Sequence, residues 1–190
     1  MSRPVVARRL TEIRPDEALA AGTLIHRVWP RPDRGPVERA EQLTSLGATY
    51  DGSEERGPES ALVFDADRVI AHALSFARTV QTTDGPVTVL ALAMVASDPD
   101  YRGQGLGDAV VRAAFERVDS GAFPLCLYQT SFPVERFYQR FGACRVENRI
   151  LNSQHGEDQD TNPFWDDLVM RYPATAPWPG GDVDLCGPGY

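Results

Sequence analysis

Residues 87–107 read Val-Thr-Val-Leu-Ala-Leu-Ala-Met-Val-Ala-Ser-Asp-Pro-Asp-Tyr-Arg-Gly-Gln-Gly-Leu-Gly. The first ten are almost all apolar, the pattern of a central strand buried on both faces. Pro99 stops that strand, and Gly103, Gly105 and Gly107 let the backbone turn sharply and approach a ligand with no side chain in the way. A helix is predicted over residues 105–118, with Leu106, Val110, Ala113, Ala114 and Val118 on one side. The opening N–H groups of such a helix, its dipole, and the fork of donors on Arg102 together favour an anion, so Arg102, Gly103, Gln104, Gly105, Leu106 and Gly107 form a candidate pyrophosphate seat. The bland alternative is a strand-to-helix turn that holds nothing. A dinucleotide fingerprint fails because Asp108 stands where the third glycine belongs, and a Walker loop fails for want of lysine.

Outward from this stretch the period alternates. A strand is predicted over residues 5–10 and helices over 16–29 and 37–46, the second closed by Gly47. Residues 51–59 read as a mobile polar loop, and strands follow at 61–64 and 69–80. Thr82-Thr83-Asp84-Gly85 is a hairpin signal leading into the apolar strand. Beyond the glycine loop come a strand at 125–128, a short helix at 134–141, and a final strand pair at 145–151 and 168–172. Residues 173–190, rich in Pro and Gly, are expected to lack regular structure. The order β-α-α-β-β-β-α-β-α-β-β predicts an α/β fold, a mixed sheet with helices.

The 190 residues carry 27 acids against 19 bases, a net charge of −8, with hydrophobic content of 42%. One domain is the natural reading, residues 1–172, with 173–190 as a tail packed on it. The acidic balance speaks against nucleic acid and would draw a cationic partner. Every base is arginine, which excludes lysine as a Schiff-base former or general base. No apolar run approaches a membrane span, and residues 1–9 show no secretory apolar region. Cys126, Cys144 and Cys186 are odd in number with no CxxC, so no metal is expected and a reduced, cytoplasmic setting fits best.

Arg102-Gly103-Gln104-Gly105-Leu106-Gly107, after an apolar strand and Pro99-Asp100-Tyr101, resembles the coenzyme A signature of the GNAT (Gcn5-related N-acetyltransferase) superfamily. Phe137-Tyr138-Gln139-Arg140-Phe141-Gly142 resembles that superfamily's late helix and is locally similar to serotonin N-acetyltransferase. The resemblance spans residues 5–172. It implies a mostly antiparallel sheet whose central strands splay, acetyl-CoA as co-substrate, and a primary amine of a small molecule or peptide as acceptor. It also implies that main-chain groups near Val95 and Ser97 pair with the pantetheine arm and that an N–H there meets the thioester oxygen. Tyr138 is then the candidate general acid for the leaving thiolate, although Val134, Phe137, Tyr138 and Phe141 also form a plain core stripe. Arg140 is either a solvated residue or a contact to a CoA phosphate.

The general base is not legible. Ala91 and Ala93 stand where serotonin N-acetyltransferase carries histidines, which weakens any claim to an arylalkylamine. Asp98 is the catalytic candidate, with His72, Glu135, Glu54 and Glu55 behind it, and a water relay or an amine that arrives neutral as alternatives. Aromatics among acids at 162–167 and 178–185 suggest either a pocket for a cationic amine or a wrap over a sheet edge. The leading expectation is an acetyl-CoA-dependent N-acetyltransferase. The rivals are a non-catalytic acyl-CoA-binding module and a structural domain without CoA, and a homodimer stays open.

Overall fold

The computed structural model describes residues 3–154 and 162–190, which divide into two compact units. One unit comprises residues 1–76 and 94–117, the other 77–93 and 118–190. Strands β3 (Arg68–Thr82) and β4 (Gly85–Ser97) run through both.

In the first unit, β1 (Val5–Arg9) pairs antiparallel with β2 (Glu59–Asp65), which pairs antiparallel with β3 from Asp65↔Arg68 back to Glu59↔Ser75. Leu62, Val63, Ile70 and Ala71 are fully buried. Helix α1 (Pro15–Val28) begins on a proline suited to the first helical position. The Glu17 carboxylate accepts from the Arg14 N–H at 3.3 Å and from Arg8 Nε at 2.8 Å, which caps the helix start while Glu17 itself lies buried. Helix α2 (Pro36–Ala48) crosses α1 at backbone contact. A Cβ added to Gly22 would stand 2.3 Å from the Pro36 carbonyl oxygen and 2.9 Å from the Ala40 nitrogen. Helix α3 (Leu106–Asp119) buries Leu106, Val110, Val111, Ala114, Phe115 and Val118, one apolar stripe. The segment expected to be a mobile loop is tied down: Arg117 donates to the Gly57 carbonyl at 2.7 Å, the Glu55 carbonyl at 3.1 Å and Ser75 Oγ at 2.9 Å. It also contains a 3-10 turn over Glu54–Arg56.

In the second unit, β4 pairs with β5 (Cys126–Thr130) in parallel at Leu90↔Cys126 and Ala91↔Leu127. The described ladder ends there although β5 continues to Thr130, so the two strands part beyond Ala91, as the splay requires. Strand β8 (Leu168–Tyr172) lies antiparallel to β5. Helix α4 (Glu135–Gln139) follows β5.

The expected strand at 145–151 is instead two short ones. β6 (Cys144–Arg145) pairs with β8, whereas β7 (Ile150–Leu151) pairs in parallel with β9 (Val183–Asp184). The tail therefore holds regular structure, since β9 also meets β3 at Gln81↔Asp184. Val183 and Leu185 are fully buried among Val80, Val89, Leu127 and Ile150. Asn148 completes the anchor, donating to the Pro179 and Gly181 carbonyls at 3.0 and 2.6 Å and accepting from Trp178 Nε1 at 2.6 Å. Taken strand by strand, the fold is a mixed α/β sheet, mostly antiparallel and flanked by helices.

Gly22→Ala tests the helix crossing. Alanine favours a helix interior by about 0.5–1 kcal/mol, but forcing a methyl onto the α2 backbone costs about 1–3 kcal/mol. Crowding wins, and urea denaturation of the variant is expected to show a net loss of stability.

Candidate functional site

The loop between β4 and α3 is built around Asp98, whose carboxylate is buried. Oδ1 accepts from the Asp100 N–H at 3.0 Å, and Oδ2 accepts from Arg27 at 2.8 Å and Arg68 at 3.0 Å. Arg27 bridges on to Asp100 at 2.8 Å. A buried carboxylate is tolerable only when so paired. Tyr101 donates to Asp65 at 2.5 Å, and Arg3 reaches Gln104 Oε1 at 3.2 Å. The Tyr101–Asp65 bond pushes the phenol up and holds the carboxyl below its usual range.

On this base the chain makes two left-handed turns, at Gly103 (φ +77°) and Gly105 (φ +74°). Either position strains any other residue, and a Cβ at either would meet no protein atom within 4 Å. The first intrahelical bond of α3 runs from the Ala109 N–H to the Gly105 carbonyl at 3.1 Å. The N–H groups of Leu106 and Gly107 precede it and have no helical carbonyl to reach. Arg102, Gly103, Gln104 and Gly105 are exposed. Open space over the glycines, helix-end donors and an exposed guanidinium match a diphosphate, so these residues fit the coenzyme that the sequence motif implies.

Just before the loop, β4 is not a regular strand. Met94 takes φ +51°, where a side chain is strained. Its carbonyl accepts from His72 Nδ1 at 2.9 Å. A carbonyl only accepts, so Nδ1 carries the proton, and the far nitrogen, Nε2, accepts from the Ser60 hydroxyl at 2.9 Å. Burial pushes the His72 imidazole down to about 4, which keeps it neutral. Val95 and Ser97 follow the bend, each half-buried.

In the second unit, Tyr138 of α4 is buried, its ring 4.6 Å from Tyr128 and 4.9 Å from Phe137. Burial pushes its phenol up, with smaller contributions from Cys126 and Asp166. Arg140 is exposed and stacks over Phe137, with Cζ 5.3 Å from the ring centroid.

Four of the five base candidates are engaged, and the fifth, Glu55, is exposed. Asp98 is held as above. Glu135 is clamped by Arg145 at 2.5 and 2.6 Å, which holds its carboxyl below the usual range. Glu54 pairs with Arg9, and His72 lies in the core. Of the tail aromatics, Phe164 packs edge-on to Tyr190 and Trp178 packs against the core, which leaves Trp165 exposed. Sequence reasoning missed Arg27, Arg68 and Ser60 as partners of the site; no local pattern marks them.

The profile of the Acetyltransferase (GNAT) domain matches residues 10–146, well over half of the chain. The chain belongs to the GNAT family. Solved GNAT-type structures share the fold at low identity. An acyl-CoA N-acyltransferase from Pseudomonas aeruginosa is 15% identical with a TM-score of 0.58, covering 90% of this chain and 99% of its own. Glucosamine-6-phosphate N-acetyltransferase from Arabidopsis thaliana is 12% identical with a TM-score of 0.55, covering 72% and 89%. A GCN5-related N-acetyltransferase from Kribbella flavida is 18% identical with a TM-score of 0.55; the match covers 74% of this chain but spans only 33% of that longer protein. No curated protein matches the sequence. Among the described residues no helix of this GNAT chain is long and apolar enough to cross a membrane.

The neutral His72 makes a pH prediction. Its folded pKa lies below the unfolded value, so the unfolded state binds more protons as pH falls below about 6.5. Stability is full above that point and falls as pH drops toward 4. Between pH 7.5 and 5 the loss from this residue is about 2 kcal/mol. Urea midpoints at the two pH values should show it in the wild type, and the difference should shrink by that amount in His72→Asn.

Proposed function

We propose that this chain is an acetyl-CoA-dependent N-acetyltransferase acting on a primary amine of a small molecule or peptide. The observation that carries the reading is the loop at 102–107, where left-handed glycines leave open space beside helix-opening N–H groups and Arg102. Family membership supports the same chemistry. In this reading residues 1–172 act as the acyltransferase domain and 173–190 pack on it. The free thiols of Cys126, Cys144 and Cys186 suit a cytoplasmic setting.

When bound, acetyl-CoA supplies an activated acetyl group. The N–H groups around Gly103 to Gly107 and the Arg102 guanidinium grip its diphosphate, with Gln104 and Leu106 completing the turn. The main chain at Val95 and Ser97 pairs with the arm, and Arg140 reaches a phosphate. Tyr138 Oη donates toward the leaving sulfur. Burial keeps that hydroxyl protonated throughout the neutral range, and it also makes complete transfer cost more than the ~2 kcal/mol separating ordinary phenol and thiol pKa values. Tyr138 therefore acts first as a hydrogen-bond donor and delivers its proton late. We assign Asp98 to holding the loop instead of taking a proton, because both its oxygens already accept. The acceptor amine then arrives neutral or loses its proton to water. A net charge of −8 favours the approach of a cationic acceptor.

The engagement of Asp98, Glu135, Glu54 and His72 also favours a second reading, an acyl-CoA-binding module without turnover. Two measurements separate the readings. Acetyl-CoA at about 100 Kd should stabilise the protein by about 2.7 kcal/mol, a rise in Tm of roughly 5–10 °C for this size. The double variant Arg102→Ala, Gly105→Val should lose that rise. An amine panel with thiol detection should show turnover, and Tyr138→Phe should lower kcat by about 10²–10⁴-fold with the KM for acetyl-CoA little changed. Binding without thiol release leaves the module reading, and absence of any thermal shift refutes both.

A further inference from the structure

We infer that His72, held by Ser60, is a positioning residue that aims the Val95 N–H at the thioester carbonyl by pinning the carbonyl of Met94. The inference rests on the acyl-CoA reading above and adds to it a buried device on the neighbouring strand.

The Met94 carbonyl and the Val95 N–H belong to one peptide plane. In a trans peptide they point in opposite directions. A hydrogen bond that fixes the carbonyl therefore fixes the N–H as well. His72 Nδ1 holds the carbonyl at 2.9 Å, so the Val95 N–H must project away from His72. Met94 at φ +51° is strained, and such a conformation persists only where its surroundings over-determine it. The imidazole supplies that constraint, and it is itself constrained. His72 has no exposed surface, and its Nε2 is occupied by the Ser60 hydroxyl at 2.9 Å. Ser60 is fully buried on β2. The chain Ser60–His72–Met94 runs across three strands and ends in one oriented N–H. An apolar residue at position 72 would fill the same space, yet it would leave the strained carbonyl without its donor and the Ser60 hydroxyl without its acceptor.

The test compares two probes that differ only in the acetyl group on sulfur, acetyl-CoA and CoA. Calorimetry on the full chain should show that His72→Leu weakens acetyl-CoA about three- to tenfold more than CoA, the worth of one hydrogen bond. His72→Asn keeps a donor where Nδ1 stands and should restore the discrimination. Ser60→Ala frees the ring without emptying the core and should lower the discrimination about two- to threefold, so it carries the test if His72→Leu does not fold. With ¹³C at the thioester carbonyl, the infrared band of the bound probe should move toward its solution position in the variants that lose discrimination. Equal weakening of both probes, or unchanged discrimination in Ser60→Ala and His72→Leu, overturns the inference and leaves the acyl-CoA reading standing. If the wild type binds neither probe, both fall.

Discussion

A buried carboxylate needs partners, and in this protein that need organises the turn from β4 into α3. Asp98 sits at the strand end with its oxygens shared among Arg27, Arg68 and the Asp100 N–H. Those contacts join α1, β3 and the loop at one point. They hold the chain where it must reverse twice through Gly103 and Gly105 before the helix starts. An acidic residue at a strand end ordinarily caps a turn. Here it also ties the start of the loop to α1 and β3.

The strand leading into that turn is irregular in two ways that serve one purpose. Its parallel ladder to β5 is short, ending at Ala91↔Leu127. Its backbone then bends through the left-handed region at Met94. A strand paired along its whole length has no main-chain donors left for a ligand. Giving up pairing and regular geometry over a few residues makes such donors available, at a cost that the surrounding core repays. In the proposed function this irregularity has a use, because strand addition by an extended acyl carrier needs an unpaired stretch of main chain.

The acid side of the chemistry has one buried candidate, whereas four of the five base candidates are already engaged. Tyr138 is buried beside Tyr128 and Phe137, where desolvation keeps its hydroxyl protonated. Three of the four carboxylates offered as bases are committed elsewhere: Glu135 to Arg145, Glu54 to Arg9, and Asp98 to its two arginines. This shifts attention from a dedicated base to the protonation state in which the acceptor arrives.

Sequence alone determined the apolar run of β4, the glycine turn, the stripe of α3 and the order of most elements, because each is written in a local period or in a residue type with a fixed conformational preference. The arginine and glycines at 102–107 also identified the family, since close backbone approach leaves little choice of residue. Tertiary structure alone decided the rest. Nothing in Ala-Leu-Ala-Met-Val-Ala announces a bend at Met94, and the partner of its carbonyl, His72, lies 22 residues earlier. The partners of Asp98 lie 71 and 30 residues away. β9 escaped notice because two apolar residues around Asp184 are too short a period to read among prolines and glycines, and only burial against Val80 and Ile150 gives them meaning. Contacts between residues far apart in the chain leave no local pattern, so hydrogen bonds of that kind become visible only when the strands are side by side.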